Sequence, residues 1–432
     1  MTVHFTRKHS YKWEVLAILW IAYLLNQADR QVFNVVLPLI REDLGLSNIA
    51  VGSIATIFNL FYALLVPVGG YAGDRLSRKW VVTVAVLFWS VATMFTGLSN
   101  GFLMLVVTRS VATGGGEACF GPANYSLLAE YHDKTRATAM SIHQTAYYVG
   151  IILSGYLAGI VGQMWGWRAA FYIFGAVGVL HGVWMILRLK DRNDAPKIAE
   201  TEELRPEQPT SKVGFFQGFR IVFTTPTALV LTLCFSGLIF VLTGYLTWMP
   251  TYLYENFDMN LAAAGFHSMF YTHLFAFVGI LLAGRFSDLY ARRNPAYRMA
   301  MQGAGLLLAV PFIVMMGYSS TLWIIYVGFA GFGFARAFFD ANTYTVLYDV
   351  VPPRYRSSAS GVMIMTGFAF GALAPLVLGV VKEVVGLSFG IMLLAVVWLV
   401  CGLLMLVSSK VFYLKDYRKV NGYKFYEYEQ LG

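Results

Sequence analysis

Long runs of apolar residues, separated by short polar segments, occupy almost the whole chain. A membrane-spanning helix needs about 20 mostly apolar residues, and a helix satisfies its own backbone hydrogen bonds in lipid. The strict apolar–polar alternation that a β-barrel requires is absent from these runs. The pattern therefore predicts an all-α polytopic membrane protein with twelve transmembrane helices. Their approximate ranges are 14–39, 49–73, 80–98, 102–129, 136–162, 167–188, 226–254, 262–287, 299–317, 321–348, 357–381 and 387–408.

The composition excludes the main soluble classes of protein. The 432 residues are 58% hydrophobic and 13% charged, with a mean hydropathy of +0.61. A soluble domain carries about 25% charged residues, so this chain has too little charge to cover a water-facing surface or to remain disordered. Cys119, Cys234 and Cys401 lie far apart in apolar runs. We interpret them as packing residues, and we predict neither a disulfide framework nor a metal site.

The basic residues predict the topology. Both termini and the loops after even-numbered spans hold 26 of the 32 Lys and Arg residues. The other loops hold Arg41, Arg168 and Lys382, and the spans hold Arg30, Arg109 and Arg336. The positive-inside rule then places both termini in the cytoplasm of a multi-pass protein of the inner (cytoplasmic) membrane. The net charge of +9 is thus a topology signal, and we expect no nucleic-acid partner.

The chain divides into two halves of six predicted spans each. The one long polar stretch, Lys190–Lys212, follows span 6 and is rich in Lys, Glu, Asp and Pro. Such a composition favours a flexible linker. The predicted domains are an N-terminal six-helix bundle (1–189), a cytoplasmic linker (190–222), a C-terminal six-helix bundle (223–410) and a cytoplasmic C-terminal tail (411–432).

Similar loops follow spans 2 and 8. A glycine is followed four residues later by an aspartate and then by arginines, which gives the two sets Gly70, Asp74, Arg75, Arg78 and Gly284, Asp288, Arg292. The glycine allows two helices to approach closely, and an aspartate at a helix end can pair with an arginine or with a neighbouring helix N-terminus. We predict that these residues form a conformational latch. The paired loops, the twelve spans and the central linker resemble the major facilitator superfamily, which implies two six-helix bundles around a midplane cavity that opens to alternate sides.

Six charged residues stand out in the interior of the predicted spans, away from the span ends: Asp29, Arg30, Arg109, Glu117, Arg336 and Asp340. A charge in the bilayer is costly unless it is paired or hydrated, so each one is a candidate for function or for a buried structural ion network. Asp29 and Arg30 are adjacent, and their side chains should diverge by about 100° around the helix. Arg30 suits bidentate binding of a carboxylate, sulfate or phosphate.

The charges of spans 4 and 10 suggest proton carriers. Burial favours the neutral form of a carboxyl group, which makes Glu117 the first candidate for carrying a proton, with Asp29 assisting. Arg109 lies eight residues before Glu117 and is a candidate for a coupling switch. Arg336 and Asp340 lie one turn apart, so they either neutralise each other or act as a second anion contact and a second titrating group.

Polar and aromatic residues flank these charges in the sequence. Hydroxyl, amide and ring groups of this kind suit a sugar, although many aromatic residues of a membrane protein serve packing and interface belts. The residues that we predict to line the substrate site are Tyr23, Tyr62, His143, Gln144, Tyr147, Trp248 and Asn342, together with Arg30, Arg109 and Arg336.

Two short elements resemble the anion:cation symporter family: the Asp29-Arg30 pair followed by Leu37–Ser47, and Gly116-Glu117-Ala118 in span 4. That family carries sugar acids and other organic anions, in several members together with protons. The resemblance implies that Arg30 binds the carboxylate, that Glu117 and Asp29 handle protons, and that Tyr62 and Tyr147 line the site. Family members place the span 4 arginine seven residues before the glutamate, so the extra residue here is expected to rotate Arg109 by about 100°.

The sequence thus predicts a proton-coupled symporter that imports an acidic sugar or related organic anion, such as a uronate, an aldonate, sialic acid or an acidic disaccharide. Gly116-Glu117-Ala118 and Phe88–Val91 also resemble Spinster-type carriers, so a lysolipid or lipid-phosphate carrier is the alternative. Sodium coupling and exchange stay open. An enzyme is not expected, because neither a His-Glu-x-x-His element nor a Walker A loop occurs. We expect a monomer in the lipid bilayer without a bound cofactor.

Overall fold

The computed structural model describes residues 3–132, 135–190 and 215–421. Most of the predicted linker, residues 191–214, lies outside these ranges. In the first half of the chain the helices are α1 (Val3–Asp43), α2 (Asn48–Arg75), α3 (Arg78–Thr96), α4 (Phe102–Leu105), a π-helical segment (Val106–Thr113), α5 (Gly114–Tyr131) and α6 (Arg136–Arg188).

The second half is also helical throughout its described residues, apart from short connections. Residues 215–222, which we predicted as linker, belong to a helix. The helices are α7 (Phe215–Thr224), α8 (Pro226–Asn256), α9 (Leu261–Ala291), α10 (Tyr297–Tyr318), α11 (Leu322–Asp340), α12 (Thr343–Val350), α13 (Arg356–Gly371), α14 (Ala374–Val385), α15 (Leu387–Val411) and α16 (Tyr413–Asn421).

Within the described ranges, nine helical stretches are long and apolar enough to cross a membrane. One of them, Thr138–Arg188, contains two predicted spans, because the helix continues through Gly166 with a bend. The φ of Gly166 is 82°, a value that a residue with a Cβ rarely adopts. The predicted spans 1 and 4 are not among the nine, and both carry buried charges. The helices are therefore consistent with twelve spans, and the predicted all-helical polytopic fold is confirmed.

The chain forms two compact units. Unit 1 contains the first six predicted spans and also parts of α8, α9 and α14, whereas unit 2 holds the rest of the second half. Unit 1 comprises Met1–Thr201, Leu246–Met269 and Pro375–Val380, and unit 2 comprises Glu202–Tyr245, Phe270–Ala374 and Val381–Gly432.

Backbone-to-backbone contacts at glycines join the helices of unit 1. A carbon added at Gly155 of α6 would lie 2.6 Å from the carbonyl oxygen of Gly265 in α9, and one added at Gly52 of α2 would lie 2.5 Å from that of Pro375 in α14. Only glycine permits so close an approach. Nearby, Arg41 Nη2 lies 2.8 Å from Glu255 Oε1, so an ion pair joins the ends of α1 and α8.

Helix α16 packs against other helices of unit 2. Tyr413 donates a hydrogen bond of 2.6 Å to Asp349 Oδ2, and the buried Asp416 carboxylate accepts hydrogen bonds from the amide and the hydroxyl of Thr227. Asp416 thereby supplies a negative group at the first turn of α8, where the amides point outward. The first part of the predicted C-terminal tail is therefore a docked helix.

Candidate functional site

Four predicted residues of unit 1 form one ion network. Arg30 Nε of α1 lies 2.5 Å from Glu117 Oε2 of α5. Arg109 Nη1 of the π segment lies 3.5 Å from Asp29 Oδ2 and 3.9 Å from Glu117 Oε1. As expected from their adjacency, Asp29 and Arg30 turn to different partners. The two acids and the two arginines balance, so the network has no net charge when all four groups are ionised.

The network is buried, but unequally. The side chain of Glu117 has no exposed surface, those of Asp29 and Arg109 have about 5%, and that of Arg30 has 21%. Arg30 is thus the most exposed member of the network. Buried charges require partners of opposite charge. Here Arg30 pairs with Glu117, and Arg109 pairs with both acids.

Hydrogen bonding in the network is incomplete. Among the described residues, Asp29 Oδ2, Glu117 Oε1 and Arg109 Nε are buried polar atoms without a hydrogen-bond partner. The 3.5 and 3.9 Å approaches of Arg109 Nη1 to the two acids are ion pairs but too long for hydrogen bonds. Each acid therefore keeps one oxygen to which a proton can add without first breaking a hydrogen bond.

A π-helical segment positions Arg109, which corrects one of our expectations. We expected the extra residue between Arg109 and Glu117 to rotate the arginine by about 100° in an α-helix. Instead Val106–Thr113 is a π-helix, and a turn of π-helix holds one residue more than a turn of α-helix. The extra residue is absorbed there, and Arg109 faces the two acids.

Aromatic rings of α2 support both arginines. The guanidinium carbon of Arg30 lies 4.0 Å from the ring centroid of Tyr62, and that of Arg109 lies 4.3 Å from the centroid of Phe58. A cation over an aromatic face is stabilised by the ring quadrupole, and more strongly so away from water. Tyr62 was a predicted site residue. Phe58 was not, although its position one turn before Tyr62 places it on the same helix face.

A second cluster in unit 1 surrounds His143 of α6. Its Nε2 atom lies 2.9 Å from Asn124 Nδ2, and its ring stacks on that of Tyr23 with centroids 4.8 Å apart. Tyr125 packs edge-on against His143 and donates a hydrogen bond of 3.3 Å to Gln144 Oε1. The structure therefore unites the predicted Tyr23, His143 and Gln144, and adds two residues that sequence reasoning missed. Asn124 and Tyr125 carry polar groups within the apolar run of α5, which was the available signal.

The remaining predicted residues of unit 1 lie elsewhere. Tyr147 is half-buried and packs edge-on against Tyr148. Trp248 is fully buried and donates a hydrogen bond of 2.9 Å to the Pro375 carbonyl. In this structure the Trp248 ring is therefore packed between helices, and its substrate contact stays a prediction.

The predicted charges of span 10 lie in unit 2. Arg336 Nε donates to Asp340 Oδ2 over 3.0 Å, and their side chains are 5% and 30% exposed. Asn342 is buried, accepts a hydrogen bond from the Ser287 hydroxyl and donates to the Phe338 carbonyl. These bonds tie α9 to the end of α11, and the substrate contact of Asn342 stays a prediction. Arg336 and Asp340 form the neutralising pair that was one of our two alternatives.

The first latch sequence holds helices together mainly through Arg78. This residue donates a hydrogen bond of 2.5 Å to Glu130 Oε1 and a longer one to the Gly73 carbonyl. Arg75 is exposed and lies over the Tyr71 ring. The side chain of Asp74 lies outside the described part of the structure.

The glycine contacts of this latch sequence differ from our prediction. A carbon added at Gly70 would meet only the Pro122 side chain, at 3.8 Å, whereas one at Gly69 would lie 2.5 Å from Cys119 Cα. The close helix contact is therefore made by Gly69, because the neighbouring position on a helix faces another direction.

The second latch sequence uses another arginine than we predicted. Arg298 Nη1 lies 3.0 Å from Asp349 Oδ2, and its Nη2 lies 3.9 Å from Asp288 Oδ1. Arg292 is exposed, and a carbon added at Gly284 would meet nothing within 4 Å. Gly284 therefore makes no close helix contact here, and Arg298, at the start of α10, is the residue that sequence reasoning missed.

Repeated apolar helices and a buried, charge-balanced ion network mark the described part of the chain as a polytopic membrane protein. The chain belongs to the Major Facilitator Superfamily, whose family model matches residues 19–375 and 273–418. The predicted superfamily and its fold class are thereby confirmed.

Individual relatives cover most of the chain. The "Probable galactarate/D-glucarate transporter GudP" of Bacillus subtilis (strain 168) is 24% identical over 404 residues, which are 88% of each protein. "Protein spinster homolog 1" of Xenopus tropicalis is 26% identical over 396 residues, 85% of this chain and 72% of that protein. The crystal structure of a bacterial homolog to the human lysosomal transporter Spinster, in an inward-facing and unoccupied conformation, has the same fold. It matches with a TM-score of 0.83 and 24% identity over 94% of this chain and 98% of that one.

Proposed function

We propose that this transporter is a proton-coupled symporter that imports a sugar acid or a related organic anion across the cytoplasmic membrane, with both termini in the cytoplasm. The observation that carries the proposal is the 2.5 Å contact between Arg30 and Glu117. The arginine best suited to bind a carboxylate, and the most exposed in the network, is here paired with a carboxylate of the protein itself.

Proton binding and anion binding are linked through this contact. A proton on Glu117 removes the negative charge that holds Arg30, and the guanidinium then becomes available to an external carboxylate. Conversely, an anion on Arg30 withdraws that arginine from Glu117, and the buried acid gains affinity for a proton. Linkage requires that the two effects be equal in free energy, so each ligand favours binding of the other.

Charge balance gives the same result. The four residues are neutral together when ionised, and a net charge in a buried site is costly. Binding of one monovalent anion alone would leave the site with one excess negative charge, which one proton removes. Within the network, Glu117 Oε1 and Asp29 Oδ2 are buried carboxylate oxygens that have no hydrogen-bond partner among the described residues. They are the atoms that we propose to accept protons.

The substrate class is supported by the relatives and by polar groups in the same unit as Arg30. The Bacillus relative is named for galactarate and D-glucarate, which carry carboxylates on polyhydroxylated chains. The cluster around His143 offers hydroxyl and amide groups of Tyr23, Tyr125 and Gln144 in the same unit. Such groups can replace water around sugar hydroxyls.

A lysolipid or lipid phosphate is the second candidate substrate. The Xenopus relative, a spinster homolog, matches this chain about as well as the Bacillus protein does. The phosphate of a lysolipid would use the same arginine as a sugar carboxylate, so binding experiments must include both ligand classes.

Uptake by purified protein in proteoliposomes tests the proposal. We expect glucarate, galactarate, a hexuronate or an aldonate to raise the melting temperature, and the ligand that does so to accumulate when the outside is more acidic. A protonophore should abolish accumulation, and replacement of sodium by choline should leave it unchanged. Sodium-driven uptake would contradict proton coupling, and stabilisation by lysolipid alone would contradict the sugar-acid assignment.

A further inference from the structure

The position of Arg109 depends on a departure from α-helical geometry. Eight residues separate Arg109 from Glu117, and at about 100° per residue an α-helix would turn their side chains about 80° apart. Yet Arg109 Nη1 lies within 4 Å of an oxygen of each acid, Asp29 and Glu117. The π segment Val106–Thr113 contains Arg109 and ends before Glu117. Its wider turn removes the excess rotation.

Two buried hydroxyl groups hold this π segment. The Thr113 hydroxyl donates a hydrogen bond of 2.9 Å to the Thr108 carbonyl, five residues earlier, and the Ser110 hydroxyl donates one of 2.7 Å to the Ile54 carbonyl of α2. Both side chains are fully buried. In a π turn each amide bonds to the carbonyl five residues earlier instead of four, so the Thr113 hydroxyl donates to the same carbonyl that the π register assigns to the Thr113 amide. The hydroxyl of Thr113 therefore favours the π turn itself, and that of Ser110 fixes the turn to its neighbour.

Helix α2 also contacts the end of the π segment, through Phe58. A carbon added at Gly114, the residue after the π segment, would lie 3.1 Å from both the ring and the carbonyl oxygen of Phe58. The ring of Phe58 also lies 4.3 Å from the guanidinium carbon of Arg109. Phe58 thus contacts both the end of the π segment and the guanidinium of Arg109, which the segment carries.

We propose that Ser110 and Thr113 are positioning residues, which hold the extra residue of span 4 in a π turn and thereby keep Arg109 against Asp29 and Glu117. The other charged or titratable groups at this site are Arg30 of α1 and Tyr62 of α2, the ring of which lies against Arg30. When the π turn is weakened, Arg109 moves from the two acids and they lose a positive neighbour. The acids then hold protons at higher pH. The role of this positioning in transport rests on the proposed proton coupling. The positioning itself rests only on the contacts of the π segment.

The matched pair Thr113→Val and Thr113→Ser tests the role of the hydroxyl. Valine keeps the shape of threonine and loses the donor, whereas serine keeps the donor. The readout is the infrared band of protonated carboxyl groups in purified protein, titrated with pH and assigned with Glu117→Gln. We expect Thr113→Val to raise the midpoint by about half a pH unit, a roughly threefold change in proton affinity, and Thr113→Ser to match the parent. An unshifted midpoint in Thr113→Val, or an equal shift in both variants, would overturn the proposal.

A change of chain length tests the geometry. Deletion of Ala112 leaves seven residues from Arg109 to the glutamate, so the segment can close as an α-helix with the two side chains on one face. We expect this variant to keep the parent's pH midpoint. Insertion of one alanine after Ala112 adds a second extra residue and turns Arg109 away from the two acids. We therefore expect the pH midpoint of the insertion variant to equal that of Arg109→Ala, which lacks the guanidinium. The proposal is wrong if the folded deletion variant behaves like the insertion variant.

These measurements separate the two levels of inference. The infrared midpoint needs neither substrate nor transport, so it tests the positioning by Thr113 directly. A parent protein without uptake driven by a pH gradient would contradict the proposed symport. An unshifted midpoint in the Thr113→Val variant would contradict the positioning, whatever the uptake result of the parent.

Discussion

Arg109 Nη2 donates a hydrogen bond of 3.1 Å to the backbone carbonyl of Arg30. Arg109 of span 4 is therefore bonded to the α1 backbone at Arg30 itself. Two like charges lie side by side, and the acids between them offset their repulsion. Removal of either acid or either arginine therefore changes the charge balance of the other three residues.

Glu117→Gln should separate anion binding from proton coupling. The variant has a permanent positive excess at the network, so we expect substrate binding at neutral pH to be retained and to lose its pH dependence. Accumulation driven by a pH gradient should be lost, whereas exchange of labelled for unlabelled substrate should persist. The measurements are uptake and counterflow in proteoliposomes. Glu14→Gln, which removes the partner of Arg188, is the matched control and should keep accumulation. Full gradient-driven accumulation by Glu117→Gln would exclude its proton role.

Arg30→Lys should weaken substrate binding. A lysine keeps the positive charge but cannot form two parallel hydrogen bonds with a carboxylate, and it stacks less well on Tyr62. We expect an affinity loss of about tenfold or more, which corresponds to about 1.4 kcal/mol. Isothermal titration calorimetry measures the loss. Arg41→Lys, a change of the arginine that pairs with Glu255, serves as the control and should bind normally. Equal affinity of Arg30→Lys and the parent would refute the bidentate contact.

Gly155→Ala should force α6 and α9 apart. The new methyl carbon would lie 2.6 Å from the Gly265 carbonyl oxygen, so one backbone must move. We expect a loss of about 1–3 kcal/mol, the usual cost of overpacking a close contact, visible as a lower melting temperature. Gly121→Ala is the control, because its methyl would meet nothing within 4 Å. Equal melting temperatures of the two variants would mean that the contact is not close in solution.

His132 should make stability depend on pH. It follows α5, outside the spans, and its two ring nitrogens lie 2.9 Å from the Lys12 carbonyl and the Thr135 hydroxyl. Burial lowers the pKa of His132 below its ordinary value of 6.5. A lowered pKa means that its stabilisation is complete above pH 6.5 and is lost as the pH falls. We expect the melting temperature of the parent to decline below that pH more steeply than that of His132→Gln. Parallel declines would contradict this assignment.

The sequence was sufficient to find the charged members of the network. Asp29, Arg30 and Glu117 stand out because a charge within an apolar run is expensive in lipid. Their pairing required the structure, because partners such as Arg30 and Glu117 are 87 residues apart. The divergence of Asp29 and Arg30 followed from helix geometry alone.

The errors have two physical causes. We assumed α-helical rotation at Arg109, but the π turn changes the rotation without a clear signal in the sequence. We also expected Gly70 and Arg292 to make the latch contacts, whereas Gly69 and Arg298 make them. A motif gives the residue types but not the helix face, and one position along a helix changes the direction of a side chain by about 100°.

The contact between Asp416 and Thr227 has a consequence for biosynthesis. The two residues are 189 positions apart, so α8 enters the membrane long before the carboxylate that caps its first turn has been translated. The amide and hydroxyl of Thr227 must find other partners until α16 leaves the ribosome. Unit 2 therefore completes this contact only after Asp416 has been translated. A premature stop codon after Val411 would leave every span in place and still prevent that final step.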